Sequence, residues 1–92
     1  MSGDLPSDVH AVLTQLLDET ETAVTTGALG TARLTITTAE TVCRNKLPEG
    51  DLRSQMLHGC GRVTVALEPT DGVDTEMAAE YCRAMSRRLR GR

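Results

Sequence analysis

The sequence predicts an all-α fold, an up-and-down bundle of about four short helices. Apolar residues recur at spacings of three, four and seven along four segments of the 92-residue chain. Turns that contain Gly or Pro separate these segments, and connections this short favour antiparallel neighbours. The length suits one domain with one core, so we treat residues 1–92 as a single helical domain with flexible ends at 1–6 and 90–92.

The first predicted helix covers about residues 7–25. Asp4 and Ser7 are both residue types that cap helix N-termini, and Gly27 is expected to end the helix. The apolar face consists of Val9, Val12, Leu13, Leu16, Leu17, Ala23 and Val24. These positions form one continuous stripe, which predicts an amphipathic helix packed against the rest of the chain.

The second and third predicted helices cover about residues 28–45 and 49–68, on either side of Pro48. Their apolar stripes consist of Leu29, Ala32, Ile36, Ala39 and Cys43, and of Leu52, Met56, Cys60, Val63 and Leu67. Gly59 and Gly61 lie inside the third helix, where each costs roughly 1 kcal/mol relative to Ala. Such glycines are expected only if a neighbouring backbone packs closely there.

The fourth predicted helix follows a turn at residues 69–72. Asp71 or Asp74 is expected to cap its N-terminus. The helix carries Met77, Ala78, Tyr81, Cys82, Met85 and Leu89 on its apolar face. An Arg-rich segment forms its last two turns.

An α+β fold is the main alternative to the helical bundle. Residues 33–37 alternate in polarity with period two, as do residues 63–65 at the start of the segment 63–67, and both segments contain β-branched side chains. This pattern is also typical of two short strands, which would pair as a small hairpin.

The composition predicts a thin core that favours self-association. There is no Phe or Trp, Tyr81 is the only aromatic residue, and Leu, Val and Ile together number 19 of 92 residues. A small domain with few large apolar side chains gains buried area by pairing with a second copy or another protein. The candidate interface residues combine adaptable or aromatic side chains with a small residue that allows close approach. They are Met56, Gly59, Met77, Tyr81 and Met85.

The charge is unevenly distributed. The chain has nine Arg and one Lys against 13 acidic residues, and its net charge is −3. Residues 83–92 contain five Arg and no acid. These are Arg83, Arg87, Arg88, Arg90 and Arg92, which are the candidate nucleic-acid contacts. The alternative is structural, because cations also stabilise a helix C-terminus and can pair with the acidic remainder of the chain.

No catalytic, metal or cofactor site is predicted. His58, Cys60 and Arg62 are close in sequence, but residues two apart on a helix point about 200° apart, so Cys60 is interpreted as a buried structural residue. Three Cys and His58 could ligate zinc, yet the Cys are widely spaced, one in each of three helices. No apolar run approaches the roughly 18 residues of a membrane span, so we expect a cytoplasmic protein.

Three short segments resemble a small uncharacterised protein family of halophilic archaea. They are CRNKLPEGDLR at 43–53, LHGC at 57–60 and AEYCRAM at 79–85. The resemblance implies a helical fold and a cytoplasm with molar salt, which agrees with the Lys-poor, Thr-rich and acidic composition. It assigns no activity and no functional residue.

These observations lead to two main functional hypotheses. The first is a non-enzymatic helical protein–protein interaction or regulatory module that forms a homodimer. The second is an auxiliary nucleic-acid-binding protein that uses the C-terminal Arg residues. An enzyme based on Cys60 or His58 is the third and weakest hypothesis.

Overall fold

The computed structural model describes residues 7–70 and 72–91, and these residues form four α-helices without a strand. The helices are α1 (Ser7–Thr26), α2 (Leu29–Lys46), α3 (Asp51–Ala66) and α4 (Thr75–Arg90). Each begins and ends within a few residues of the predicted bounds. Residues 33–37 lie in α2, and residues 63–66 end α3. The hairpin alternative is therefore wrong, because helical packing overrides the local β propensity.

The helix ends follow the predicted local chemistry where the structure describes them. Asp74 caps α4, since its Oδ1 accepts a hydrogen bond of 3.0 Å from the backbone N–H of Met77. Ser7, a candidate cap of α1, is instead the first residue of that helix, and the remaining candidates, Asp4 and Asp71, lie outside the described residues. So do residues 1–6 and Arg92, which were predicted to be flexible. Arg90 was predicted to be flexible too, but it is the last residue of α4.

Glycines in the left-handed region allow two of the turns. Gly27 has φ of +83°, and the N–H of the following residue, Ala28, donates to the carbonyl of Ala23 at 2.8 Å. Gly72 has φ of +87°, and its N–H donates to the carbonyl of Pro69 at 3.3 Å. A side chain would be strained at such φ values, so these turns reverse the chain at glycine.

The four helices pack as an up-and-down bundle in which each helix contacts two neighbours. α1 packs against α2 and α4, and α3 packs against the same two helices. The bundle measures 43 × 19 × 19 Å. Its antiparallel order puts the C-termini of α2 and α4 at one end, which we call the α4 C-terminal end. The C-termini of α1 and α3 lie at the opposite end, the α4 N-terminal end.

The core is built from aliphatic residues, small residues and thiols. Leu13, Leu17, Ile36, Met56, Leu67 and Leu89 are among its largest fully buried side chains. Alanines from all four helices and the three cysteines fill the space between them. Small side chains bury little apolar area, so the core is as thin as the composition predicts.

The side chain of Met85 on α4 packs directly against Gly59 of α3, which has no side chain of its own. A Cβ atom added at Gly59 would lie 2.6 Å from Sδ of Met85 and 2.8 Å from its Cγ. At Gly61, on the same helix, an added Cβ would meet no atom within 4 Å. Close packing is therefore present at Gly59 but not at Gly61, and it comes from the side chain of Met85 instead of the neighbouring backbone that was predicted.

A buried pair of hydroxyls joins α1 and α2. Oγ1 of Thr20 lies 2.6 Å from Oγ1 of Thr35, and it also donates to the carbonyl of Leu16 at 2.8 Å. Oγ1 of Thr35 also donates to the carbonyl of Ala32 at 3.2 Å, so the two hydroxyl protons serve three contacts and either hydroxyl can donate to the other. This contact satisfies two polar groups inside the core and holds the two helices in register.

Candidate functional site

The structure separates the imidazole of His58 from the thiol of Cys60. Cys60 is fully buried, whereas His58 is exposed on the opposite side of α3. The ring of His58 meets the ring of Tyr81 edge-on, with centroids 6.4 Å apart and an interplanar angle of 68°. The expected divergence of positions 58 and 60 is thus confirmed.

All three cysteines are free, buried thiols. The pKa of Cys60 is raised above its usual value by a hydrogen bond with Cys43 and by burial. Burial also raises the pKa of Cys82 to about 12. Cys60 and Cys82 therefore remain protonated near neutral pH, and a protonated, buried thiol is a poor nucleophile and a poor metal ligand. Within residues 7–70 and 72–91, no three His, Cys, Asp or Glu side chains come together as a metal site.

The five candidate interface residues divide into two groups. Met56, Gly59 and Met85 are buried inside this chain, where they belong to its own core. Met77 and Tyr81 are only half-buried and pack against the outside of that core. Only these two retain exposed surface that a partner could cover. The sequence could not distinguish the groups, because all five lie on apolar faces of predicted helices.

The outer side of α4 combines these two residues with small and charged neighbours. We define the α4 face as Glu76, Met77, Glu80, Tyr81, Ala84 and Arg87. Each member lies three or four residues from at least one other member, so together they cover one side of the helix. Ala84 is half-buried, and the three charged residues are exposed. The face therefore has a partly apolar stripe bordered by charges.

Charge along α4 is segregated by sign. The first half carries Asp74, Glu76 and Glu80, and the second half carries Arg83, Arg87, Arg88 and Arg90. This order complements the helix dipole, which favours acids near the N-terminus and bases near the C-terminus. The polarity of α4 thus has a local structural role.

The four described C-terminal arginines have different surroundings. Arg83 forms an ion pair with Glu21 of α1 at 2.9 Å, and Arg88 donates to Oε1 of Gln55 at 3.0 Å. Its ion pair therefore gives Arg83 the structural role that was the alternative to nucleic-acid contact. Arg87 and Arg90 have no such carboxylate partner in the described part of the chain.

The bundle topology places further basic residues, which are far away in the sequence, at the same end as the arginines of α4. Arg44 and Lys46 end α2, and Arg53 lies in the first turn of α3, so both segments belong to the α4 C-terminal end. The guanidinium of Arg53 donates to the carbonyl of Arg44 at 3.3 Å. We define the basic end as Arg44, Lys46, Arg53, Arg87, Arg88 and Arg90. Asp8, Glu49 and Asp51 lie among them.

The opposite end of the bundle carries more acids than bases. Glu68 follows α3, Asp74 caps α4 and Glu76 lies in its first turn. Arg33 of α2 lies at the same end, where its guanidinium donates to the carbonyl of Leu67 at 3.1 Å. Sequence analysis identified the C-terminal arginines but missed both the enlarged basic end and the acidic end. Both ends could have been predicted from the helix order, because alternate helices of an up-and-down bundle end on the same side.

A shallow open groove follows the outer side of α1. Its lining includes His10, Thr14, Asp18, Thr22 and Thr26. Nε2 of His10 lies 3.0 Å from the carbonyl oxygen of Leu89, so this ring contacts the end of α4. The carboxylates and most of the lining hydroxyls are typical of a solvated helix face, whereas Oγ1 of Thr14 is buried without a hydrogen-bond partner among the described residues.

Comparison with known proteins identifies a family but no activity. The family model described as Domain of unknown function (DUF8101) matches residues 1–91. No curated protein and no solved structure matches the chain. Among the described residues, no helix is both long enough and apolar enough to cross a membrane. The match extends over almost the whole sequence, and the chain therefore belongs to the DUF8101 family.

Proposed function

We propose that this chain is a non-enzymatic helical interaction module that associates with a second copy of itself through the α4 face. The observation that carries the proposal is the position of Tyr81. The only aromatic side chain of the protein lies half-buried at the surface, next to half-buried Met77, instead of in the core. Tyr and Met are enriched in protein interfaces, where large side chains supply much of the buried area.

The thin core supports the same proposal. A chain of this size buries only a little over ~60% of the surface that its unfolded form exposes. Its core uses six alanines and three cysteines among the buried apolar residues that the structure describes. Covering Met77 and Tyr81 with a partner would add apolar burial that the single chain lacks.

Light scattering and sedimentation over a range of protein concentrations test self-association. We expect a monomer–dimer equilibrium whose dissociation constant rises about tenfold or more when Tyr81 is replaced by Ala, because the largest apolar side chain of the proposed interface is lost. Leu34→Ala is the matched control, since Leu34 is 68% exposed on the outer side of α2 and lies off the α4 face.

Two results would contradict the proposal. A monomer at every protein and salt concentration would exclude self-association. If Leu34→Ala weakened the dimer as much as Tyr81→Ala, the interface would lie elsewhere on the chain. Circular dichroism of both variants would establish that the helices remain formed.

We also propose a salt-rich cytoplasm of a halophilic archaeon as the setting. The single Lys, the nine Arg and the 13 acidic residues support this environment. At about 1 M salt the Debye length is only about 3 Å, so charges farther apart than this are screened, while apolar contacts and ion pairs in direct contact remain. Association that persists in molar KCl would support this setting, and unfolding in molar KCl would contradict it.

Nucleic-acid binding is the second candidate function, and the basic end is the observation that favours it. Three arginines of α4 lie at the same end as Arg44, Lys46 and Arg53, and neither Arg87 nor Arg90 forms an ion pair in the described structure. The acids within the basic end weaken this hypothesis, because they repel phosphate. We therefore place it after self-association.

Electrophoretic mobility of short DNA and RNA in low salt tests the second candidate. If the basic end binds phosphate, Arg87→Ser with Arg90→Ser should weaken binding equally for all sequences and lower the slope of log affinity against log salt by about 0.9 for each lost contact. Arg62→Ser, on α3, removes a charge outside the basic end and should have little effect. No retardation of either nucleic acid in low salt would exclude this function.

A further inference from the structure

We infer that two copies of the chain pair with their α4 helices antiparallel, so that Glu80 of each copy lies against Arg87 of the other. The inference rests on the proposed self-association and adds the partner and the geometry to it. The two-fold axis would pass between residues 83 and 84 and would bring the half-buried Ala84 of each copy near the centre of the contact.

One stripe of the α4 face carries the inference. Glu76, Glu80, Ala84 and Arg87 follow one another at spacings of four, four and three residues, so they form a line along the outer side of the helix. Along this line the order is acid, acid, small residue, base. Neither Glu80 nor Arg87 forms an ion pair with another described residue of the chain.

Symmetry selects the antiparallel arrangement. In a two-fold dimer, if residue i contacts residue j of the partner, then j also contacts i. An antiparallel pairing centred between residues 83 and 84 sets Glu80 opposite Arg87 twice. A parallel pairing would set Glu80 against Glu80 and Arg87 against Arg87, and opposed like charges destabilise an interface.

The dimensions of a helix allow both ion pairs to form together. Glu80 and Arg87 are seven residues apart, or about 10 Å at 1.5 Å per residue, so the two pairs would flank the axis symmetrically. A small residue near the axis allows helices to approach to about 8–10 Å. Met77 and Tyr81 border the stripe on the side of α3 and would supply the apolar part of the contact.

The charge of the whole bundle favours the same orientation. The basic end contains residues from α2, α3 and α4, whereas Glu68, Asp74 and Glu76 lie at the opposite end. Antiparallel packing places the basic end of one copy beside the acidic end of the other. Complementary surfaces of this kind determine orientation and exclude the alternative alignment.

A charge exchange tests the pairing of Glu80 with Arg87. At about 0.1 M salt, where the Debye length is about 10 Å, we expect Glu80→Arg alone and Arg87→Glu alone each to raise the dimer dissociation constant about tenfold or more. The double variant E80R/R87E restores opposite charges at both contacts and should dissociate within about threefold of the original protein.

Matched controls separate this pairing from a general effect of charge. Glu19→Arg on α1 and Arg62→Glu on α3 make the same changes at sites outside both the α4 face and the basic end, and they should leave the dissociation constant nearly unchanged. If the double variant dissociated as readily as either single variant while circular dichroism showed intact helices, the Glu80–Arg87 contact would be wrong.

A distance between two labels tests the orientation independently. Thr70 is exposed at the α4 N-terminal end, and the native cysteines are buried, so a spin label on Thr70→Cys would react selectively. In an antiparallel dimer the two labels should be separated by a distance close to the 43 Å length of the bundle. In a parallel dimer the distance would be close to the 19 Å width.

The outcomes distinguish this inference from the proposed function. A dimer with the short label distance would overturn the antiparallel arrangement and leave self-association intact. A monomer under all conditions would overturn both. Oligomers that grow beyond two copies would indicate end-to-end contact of the basic and acidic ends and would also overturn the two-fold arrangement.

Discussion

Replacing Leu17 with Ala is expected to lower the free energy of unfolding by about 2–5 kcal/mol. Leu17 is 0% exposed in the middle of α1, where its side chain belongs to the common core of the bundle. The substitution removes buried apolar atoms and leaves a cavity that aliphatic neighbours fill incompletely. A small domain has a total stability of only about 5–15 kcal/mol, so this loss is a large fraction of it.

Urea unfolding at one fixed protein concentration measures this effect, because self-association would make stability depend on concentration. Leu34→Ala is the control: the same chemical change at a 68% exposed position of α2 should alter the free energy of unfolding by no more than about 0.5 kcal/mol. Equal effects of the two substitutions would mean that Leu17 is not part of a packed core.

The second large effect is expected from a comparison of two glycines on α3. Gly59→Ala and Gly61→Ala each gain about 1 kcal/mol of helix propensity. At Gly59 the new methyl group would lie 2.6 Å from Sδ of buried Met85, so overpacking of about 1–3 kcal/mol opposes the gain. At Gly61 an added Cβ has no neighbour within 4 Å, and the gain remains.

We therefore expect Gly61→Ala to stabilise the protein and Gly59→Ala to be neutral or destabilising, with a difference of about 1–3 kcal/mol in the free energy of unfolding. Thermal and urea unfolding of the two variants measure this difference. Met85→Ala should lower the free energy of unfolding less in the Gly59→Ala background than in the original protein, since it also removes the atoms that the new methyl group meets. Equal stabilisation by both alanines would show that α3 and α4 are not in close contact at Gly59.

Most of the fold was predictable because its causes are local. A hydrophobic stripe at helical spacing, an Asp at an N-cap and a glycine in a turn each involve residues within a few positions of one another. This is why the bounds of α1 and α2 were predicted to within about one residue. The bounds of α3 differ more, because Pro48 and the glycine at 50 precede its first turn.

The candidate surface was only partly predictable. Periodicity shows that Met56, Met77 and Met85 are on apolar faces, but it does not show how completely the neighbouring helices cover each one. In the structure Met56 and Met85 are buried, whereas Met77 remains half-exposed. That outcome depends on the distance between helices, which is set by side chains far apart in sequence, such as the contact of Gly59 with Met85.

The sequence by itself determined that this chain forms four short amphipathic helices, that its core is thin, and that α4 is acidic at one end and basic at the other. Only the tertiary structure decided which apolar residues remain at the surface, and that Arg44, Lys46 and Arg53 share an end with the arginines of α4. The physical reason is that helix formation follows interactions over about one turn, whereas burial and the field of charges follow contacts between different helices.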